Sequence, residues 1–314
     1  MRNIPAYHVY YRNDNMEEYY QIDLMAHLLS TLFWRFKHGP IRLYCNEKYL
    51  DLLKKYNLHI LYDEINTELL ENIPFKEYLP KYWSFCKTYA AYHISQTVDK
   101  FVILDNDMWL REDIGLDYNL NFIAYHKEAW SARSTQNPYA PPSDFLTEEE
   151  LKELDFKVNP VNCAFMYFNS KELVEEWYKW ANIIIERWKD REKLENNADT
   201  IFIEQRLLPV LTKKLDLKGM VILPNTYLSY VEFNEFGTEW FPLIDSTQES
   251  YILSQTIRHI WGLKSMYDQK KWRNTLLEVM YNDVHQSFDI EEIKEAFNLL
   301  FSECEAINPI KLNT

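Results

Sequence analysis

Two carboxylates stand one residue apart at Asp105-Asn106-Asp107, directly after the apolar run Phe101-Val-Ile-Leu. Carboxylate oxygens are hard ligands, and two of them leaving one strand end can hold Mg2+ or Mn2+ while leaving positions open for phosphate oxygens. A D-x-D spacing arises readily by chance in a chain with 48 acidic residues, so its meaning depends on its setting. The periodicity of Phe101 to Leu104 does not separate buried helix from buried strand, but its shortness and its Val and Ile favour a strand. In open α/β sheets, ligands bind at the carboxyl ends of the strands, where the departing loops surround a crevice. Asp105 stands at such an end, so position and chemistry agree.

Short β-rich runs alternate with longer stretches of helical periodicity, the pattern of a sheet covered by helices. Ala6 to Tyr11 reads as a strand, and Glu17 to Phe36 as a helix with Ile22, Met25, Leu29, Leu32 and Phe33 on one face. Ile41 to Cys45 reads as a second strand, Glu47 to Tyr56 as a short helix, and Leu58 to Tyr62 as a third strand, which gives a βαβαβ opening. Lys81 to Gln96 is the helix that leads into the D-x-D strand. Further strands are expected at Asn121 to Tyr125, Val161 to Phe168, Met220 to Leu223 and Arg258 to Trp261, with helices at Ser170 to Lys189 and Ala198 to Lys213. Two amphipathic helices, about Gln269 to Tyr281 and Ile290 to Ser302, close the chain. The irregular stretch from Ser131 to Ser143 reads as a loop, and no repeat or Gly/Ser linker divides the chain. A single α/β domain over residues 1–314 is expected, its core at about 5–265 and its C-terminal helices at about 269–304 packed on that core.

The segment from Lys81 to Gln96, followed by Phe101 to Met108, resembles the helix, strand and D-x-D of GT-A glycosyltransferases. It is most similar to the retaining group that includes lipopolysaccharide galactosyltransferases and glycogenin. The resemblance implies a Rossmann-like mixed sheet flanked by helices and a divalent ion held by Asp105 and Asp107, with Asp105 also meeting the ribose. Val161 to Asn169 resembles the group's Phe-Asn-x-Gly strand, which nominates Asn162 near the donor sugar, with Ala164 where the group has glycine. Phe202 to Leu208 resembles the helix whose acidic and amide pair faces the reacting sugar, which nominates Glu204 and Gln205 as catalytic; Arg206 stands where an acidic residue often follows. Arg258 to Lys264 resembles the C-terminal His-x-x-Gly-x-x-Lys, in which His259 completes the metal site and Gly262 and Lys264 meet the diphosphate. The lysine comes one residue early. Lys87 matches a basic residue that touches the donor, and Tyr10, Tyr11 and Asn13 lie where the group contacts the nucleotide base.

The activity so implied is metal-dependent transfer of a sugar from a nucleotide-sugar, in the first place a UDP-sugar, to a carbohydrate or other hydroxyl acceptor. Mn2+ or Mg2+ would neutralise the charge on the leaving diphosphate. The alternative is a non-catalytic GT-A-like protein that binds carbohydrate or nucleotide, which the departures at Ala164 and Arg206 keep open. Phosphatases of the haloacid dehalogenase type also place D-x-D after an apolar strand. They want Thr or Val where Trp109 stands, and their motif near the start of the domain.

The formal charge of −14, from 48 acidic and 34 basic residues, argues against a nucleic-acid groove, which needs clustered cations. The first thirty residues carry no signal-peptide pattern and no stretch approaches a membrane span, so a cytoplasmic enzyme without a transmembrane segment is expected, with room for peripheral membrane contact. Cys45, Cys86, Cys163 and Cys304 lie far apart among apolar neighbours, which fits buried, reduced thiols. Aromatic residues reach 16% of the chain, and most of them are assigned to the core. The site makes one geometric demand: a His259 ring more than about 8 Å from Asp107 could not share an ion whose ligands lie about 2.0 to 2.6 Å away.

Overall fold

Nine runs of β-branched, aromatic and aliphatic residues form strands in the computed structural model, which describes residues 4–12, 20–113, 115–127, 141–194, 198–223, 257–260 and 270–307. They are β1 (Ala6–Tyr10), β2 (Ile41–Cys45), β3 (Glu64–Asn66), β4 (Phe101–Leu104), β5 (Met108–Leu110), β6 (Phe122–Lys127), β7 (Val161–Phe168), β8 (Gly219–Leu223) and β9 (Ile257–His259). Seven build one sheet in the order β3-β2-β1-β4-β7-β6-β8, and β5 pairs with β9 in a separate ladder. All neighbours in the large sheet are parallel except β7, which runs antiparallel to both β4 and β6. This is the mixed, mostly parallel α/β sheet expected from the sequence.

The helices are α1 (Tyr20–Lys37), α2 (Glu47–Lys55), α3 (Glu68–Glu71), α4 (Phe85–Ser95), α5 (Glu148–Glu153), α6 (Lys171–Trp188), α7 (Ala198–Ile201), α8 (Leu207–Lys214), α9 (Lys270–Ser287) and α10 (Glu291–Ile307). Because strand side chains alternate between faces, β4 sends Val102 and Leu104 into one core and Phe101 and Ile103 into the other. The first core packs α1, α2, α9 and α10; the second packs α4, α6 and α8. α9 and α10 lie on α1, with the Phe33 and Phe288 ring centroids 4.9 Å apart. Among the described residues no helix is long and apolar enough to cross a membrane, and all four cysteines are buried.

Three local expectations need correction. Leu58 to Leu61 is a 3-10 turn, not the third strand; Asn57 adopts a left-handed backbone (φ 57°), and Leu58 and Leu61 bury the same side of the turn. Pairing with β2 falls instead on Glu64–Asn66, where Glu64 sits in register with Arg42 and forms a 3.2 Å ion pair with it. The helix before the D-x-D starts at Phe85 rather than Lys81, with Ser84 held by Thr200: its amide donates to the Thr200 hydroxyl (3.1 Å) and its hydroxyl to the Thr200 carbonyl (2.9 Å). The helix expected from Ala198 to Lys213 is interrupted by a π turn at Phe202–Arg206, and the Trp177 indole donates to the Ile203 carbonyl within it (2.8 Å).

Ile103 is fully buried at the centre of the sheet. Ile103→Ala should lower unfolding free energy by about 2 to 5 kcal/mol, read as a lower denaturant midpoint at unchanged slope.

Candidate active site

The chain leaves β4 through a tight turn that carries the D-x-D. The Asp105 amide donates to the Ala164 carbonyl (2.8 Å), and its own carbonyl accepts from the Met108 amide (3.3 Å) and the Ser30 hydroxyl (3.2 Å). That turn returns the backbone as β5, which pairs antiparallel with β9 so that Met108 faces His259. The Ile260 amide donates to the Asp107 carbonyl (3.1 Å), which ties the far end of β9 to the motif itself. His259 Nε2 thus lies 3.7 Å from Asp107 Oδ1, and one ligand atom from each of Asp105, Asp107 and His259 falls within 4.8 Å of the others.

Oxygen and nitrogen donors at about 2.0 to 2.6 Å from an ion are at most about 4 to 5 Å apart, so small side-chain rotations let these three share one cation. Two carboxylates and an imidazole form a donor set suited to a divalent ion. The Tyr125 and His259 rings meet in a T-shaped contact, with centroids 5.3 Å apart, which limits the orientations that the imidazole can adopt.

α4 directs Lys87 into the same place. Its ammonium is buried, forms an ion pair with Asp105, and donates to Glu204 Oε1 at 2.7 Å. Burial works against its charge, but the two carboxylates outweigh it and hold the Lys87 pKa above the ordinary value. For Glu204 the balance falls against the charged form: burial raises its carboxyl pKa, the Lys87 ammonium only partly offsets this, and the Asp105 charge adds to the rise. Gln205, next along the π turn, is half-buried. Arg206, in place of the acidic residue of the resemblance, donates to the Val158 and Phe156 carbonyls and lies over the Phe156 ring, 5.4 Å from its centroid.

Asn162 is buried on β7 and accepts from the Ala164 amide (3.0 Å), and a β-bulge in β6 sets His126 opposite it. Tyr10 and Tyr11 lie at the carboxyl end of β1, which runs parallel to β4 with Tyr7 beside Ile103, so both leave the sheet at the same edge as Asp105. The Tyr10 ring rests 4.2 Å from that of Tyr49. Gly262, Lys264 and Asn13 lie outside the described residues. Sequence reasoning passed over Ser30 and Tyr125. The available signal for Ser30 was a run of polar residues, His27, Ser30 and Thr31, on a helix otherwise apolar over the same turns.

No protein-family model and no curated protein matches the sequence. Among solved structures, the apo form of the glycosyltransferase GlyE of Streptococcus pneumoniae TIGR4 is similar at a TM-score of 0.46 and 15% identity, over 97% of this chain and 64% of that one. A second GlyE structure gives 0.44 and 14% over the same shares. The apo form of mouse xyloside xylosyltransferase 1 gives 0.38 and 13%, over 70% of this chain and 85% of that one. The chain therefore spans about 64% of the GlyE chain's length. The sheet order, rather than these distant likenesses, defines the fold.

The raised Glu204 carboxyl makes a prediction with a definite sign. Folded protein keeps this proton to higher pH than unfolded protein, so the stability it confers is present below the unfolded carboxyl value and is lost as pH rises through the raised one. Glu204→Gln removes that loss. In metal-free buffer the melting temperature of the variant, relative to the parent, should rise between about pH 5 and about pH 8; a difference independent of pH would contradict the assignment.

Proposed function

We propose that this chain is a GT-A-type, metal-dependent glycosyltransferase that moves a sugar from a nucleotide-sugar, in the first instance a UDP-sugar, to a hydroxyl of a saccharide-like acceptor. The observation that carries this reading is the meeting of Asp105, Asp107 and His259, from two distant segments, at the carboxyl edge of the sheet. When bound there, Mn2+ or Mg2+ supplies positive charge to the leaving diphosphate. Asp107 and His259 would hold the ion, and Asp105 would serve both the ion and the donor ribose. Lys87, pinned between Asp105 and Glu204, fixes the angle of the Asp105 carboxylate. Tyr10 and Tyr11 offer aromatic faces to the base, and Gly262 and Lys264 serve the diphosphate.

Gln205 is the polar group offered to the reacting sugar, and Asn162 orients that sugar from β7. Glu204, buried against Lys87, works by holding the π turn that presents Gln205. The non-catalytic alternative drew on Ala164 and Arg206. Arg206 has a structural task of its own, so that departure does not speak against catalysis. The reading extends to one domain for residues 1–314 and to a cytoplasmic setting.

Two measurements test it. Uridine diphosphate should raise the melting temperature only with Mn2+ or Mg2+ present, by the equivalent of about 2.7 kcal/mol at about 100 times its dissociation constant, and Asp107→Asn should abolish the shift. An equal shift without metal overturns the metal site. Gln205→Ala should keep nucleotide affinity while turnover of the donor falls about tenfold or more. Turnover that is measurable in the parent and unchanged in the variant removes Gln205 from the reaction.

A further inference from the structure

A ladder of three residue pairs is short, and two-stranded sheets have little stability of their own in water. Yet this ladder decides where His259 stands relative to Asp107. Consecutive side chains on a strand point to opposite faces, so Arg258 leaves β9 on the side away from His259. On that side, Trp109 of β5 is the register partner of Arg258.

Both side chains converge on one carboxylate from α9. Asp283 Oδ2 accepts from the Trp109 indole N–H at 2.9 Å, and Oδ1 accepts from Arg258 Nη2 at 3.1 Å. Arg258 Nε lies 2.7 Å from Oδ2, and Arg111 Nε approaches Oδ1 at 3.6 Å. Trp109, Arg258 and Asp283 are all buried, at 0%, 5% and 2% exposure. A buried carboxylate is tolerated where its partners are fixed, and removal of one member leaves the others with an uncompensated charge or donor. One aspartate, carried by α9, therefore holds both strands of the ladder.

We propose that Asp283 is a positioning residue for the metal half-site: by gripping Trp109 and Arg258 together it sets the register of β9 on β5 and so holds His259 against the Asp105–Asp107 turn. This rests on the metal-site reading above. The C-terminal helices thereby act as the buttress of the His259 ligand as well as a cover for the first core. Outer-shell partners of this kind cost about 10- to 100-fold in metal affinity when they are removed.

The test uses the full chain, with Asp283→Asn as the direct variant and Trp109→Phe as the second one, which keeps an aromatic ring in the core but removes the indole donor together with the pyrrole half of the side chain. Two readouts are needed: Mn2+ affinity without nucleotide, from the electron paramagnetic resonance signal of the free ion, and amide hydrogen exchange over residues 108–110 and 257–260. Asp283→Asn should weaken Mn2+ binding by about tenfold or more, and Trp109→Phe by a smaller factor in the same direction. Exchange should quicken in those two segments while β1 and β4 keep the parental rate; quickening spread evenly over the sheet would reveal a general structural role and overturn the proposal. A folded variant of either kind with parental Mn2+ affinity and parental exchange overturns it as well. Should Asp283→Asn fail to fold, Trp109→Phe decides alone. If the parent itself binds no Mn2+, the metal reading falls, and exchange over 257–260 still decides whether Asp283 sets the ladder.

Discussion

The antiparallel pairing of Met108 with His259 converts a common spacing of two aspartates into a set of three donors. Without it, Asp105 and Asp107 are two carboxylates on a turn, with Lys87 as the charge nearest to hand. With it, an imidazole arrives from a segment remote in sequence, and the Ile260 amide ties that segment to the Asp107 carbonyl. The turn is itself fastened from two sides, by the Ala164 carbonyl on β7 and by the Ser30 hydroxyl on α1. Each tie uses a backbone group of Asp105 and leaves the carboxylate to its charged partners.

Behind Ser30 lies a buried polar network that a purely apolar core would not need. His8 Nε2 is hydrogen-bonded to Ser30 Oγ (2.9 Å), and its Nδ1 to the Tyr62 hydroxyl (2.8 Å) and to His27 Nε2 (2.8 Å). His27 reaches Tyr49 in turn, whose ring contacts that of Tyr10. Burial pushes the His8 pKa down to about 3, only partly opposed by the Asp107 charge, so this ring is neutral near neutral pH and serves as donor and acceptor rather than as a cation. The network joins the proposed base-binding end of β1 to the backbone of the D-x-D turn through groups whose partners are fixed. Such fixed partners keep a site in one arrangement before any ligand arrives.

The first two strands with their helices and the long α6 were legible because their apolar residues follow periods of two or about 3.6 over enough positions, and the D-x-D strand because its shortness and its Val and Ile favour β. What failed to show was short or depended on remote partners. Leu58 to Leu61 was misread because four residues do not separate alternation from a 3-10 repeat. β5 could not be foreseen from Met108 to Leu110 alone, since its partner lies far along the chain. The candidate ligands were legible through the resemblance, which brought His259 to the motif residue by residue. Tyr125 and Asp283 carried no such mark: one looked like any aromatic strand residue, and the other stood beyond the expected end of its helix at about Tyr281.

Arg206 shows how a departure from an expected pattern can be absorbed by the fold. A buried guanidinium is costly unless its donors are met, and here the Phe156 and Val158 carbonyls meet them while the Phe156 ring covers its face. Those carbonyls belong to the segment just before β7, the strand that carries Asn162. The guanidinium therefore binds the π turn that bears Glu204 and Gln205 to the approach of the strand that bears Asn162. An acidic side chain at this position could not bridge to carbonyl oxygens, because it has no donors to offer once ionised. The Arg206 side chain, together with the Trp177 indole and the Lys87–Glu204 bond, thus fastens the π turn that bears Gln205, and of these three it alone reaches the segment before β7.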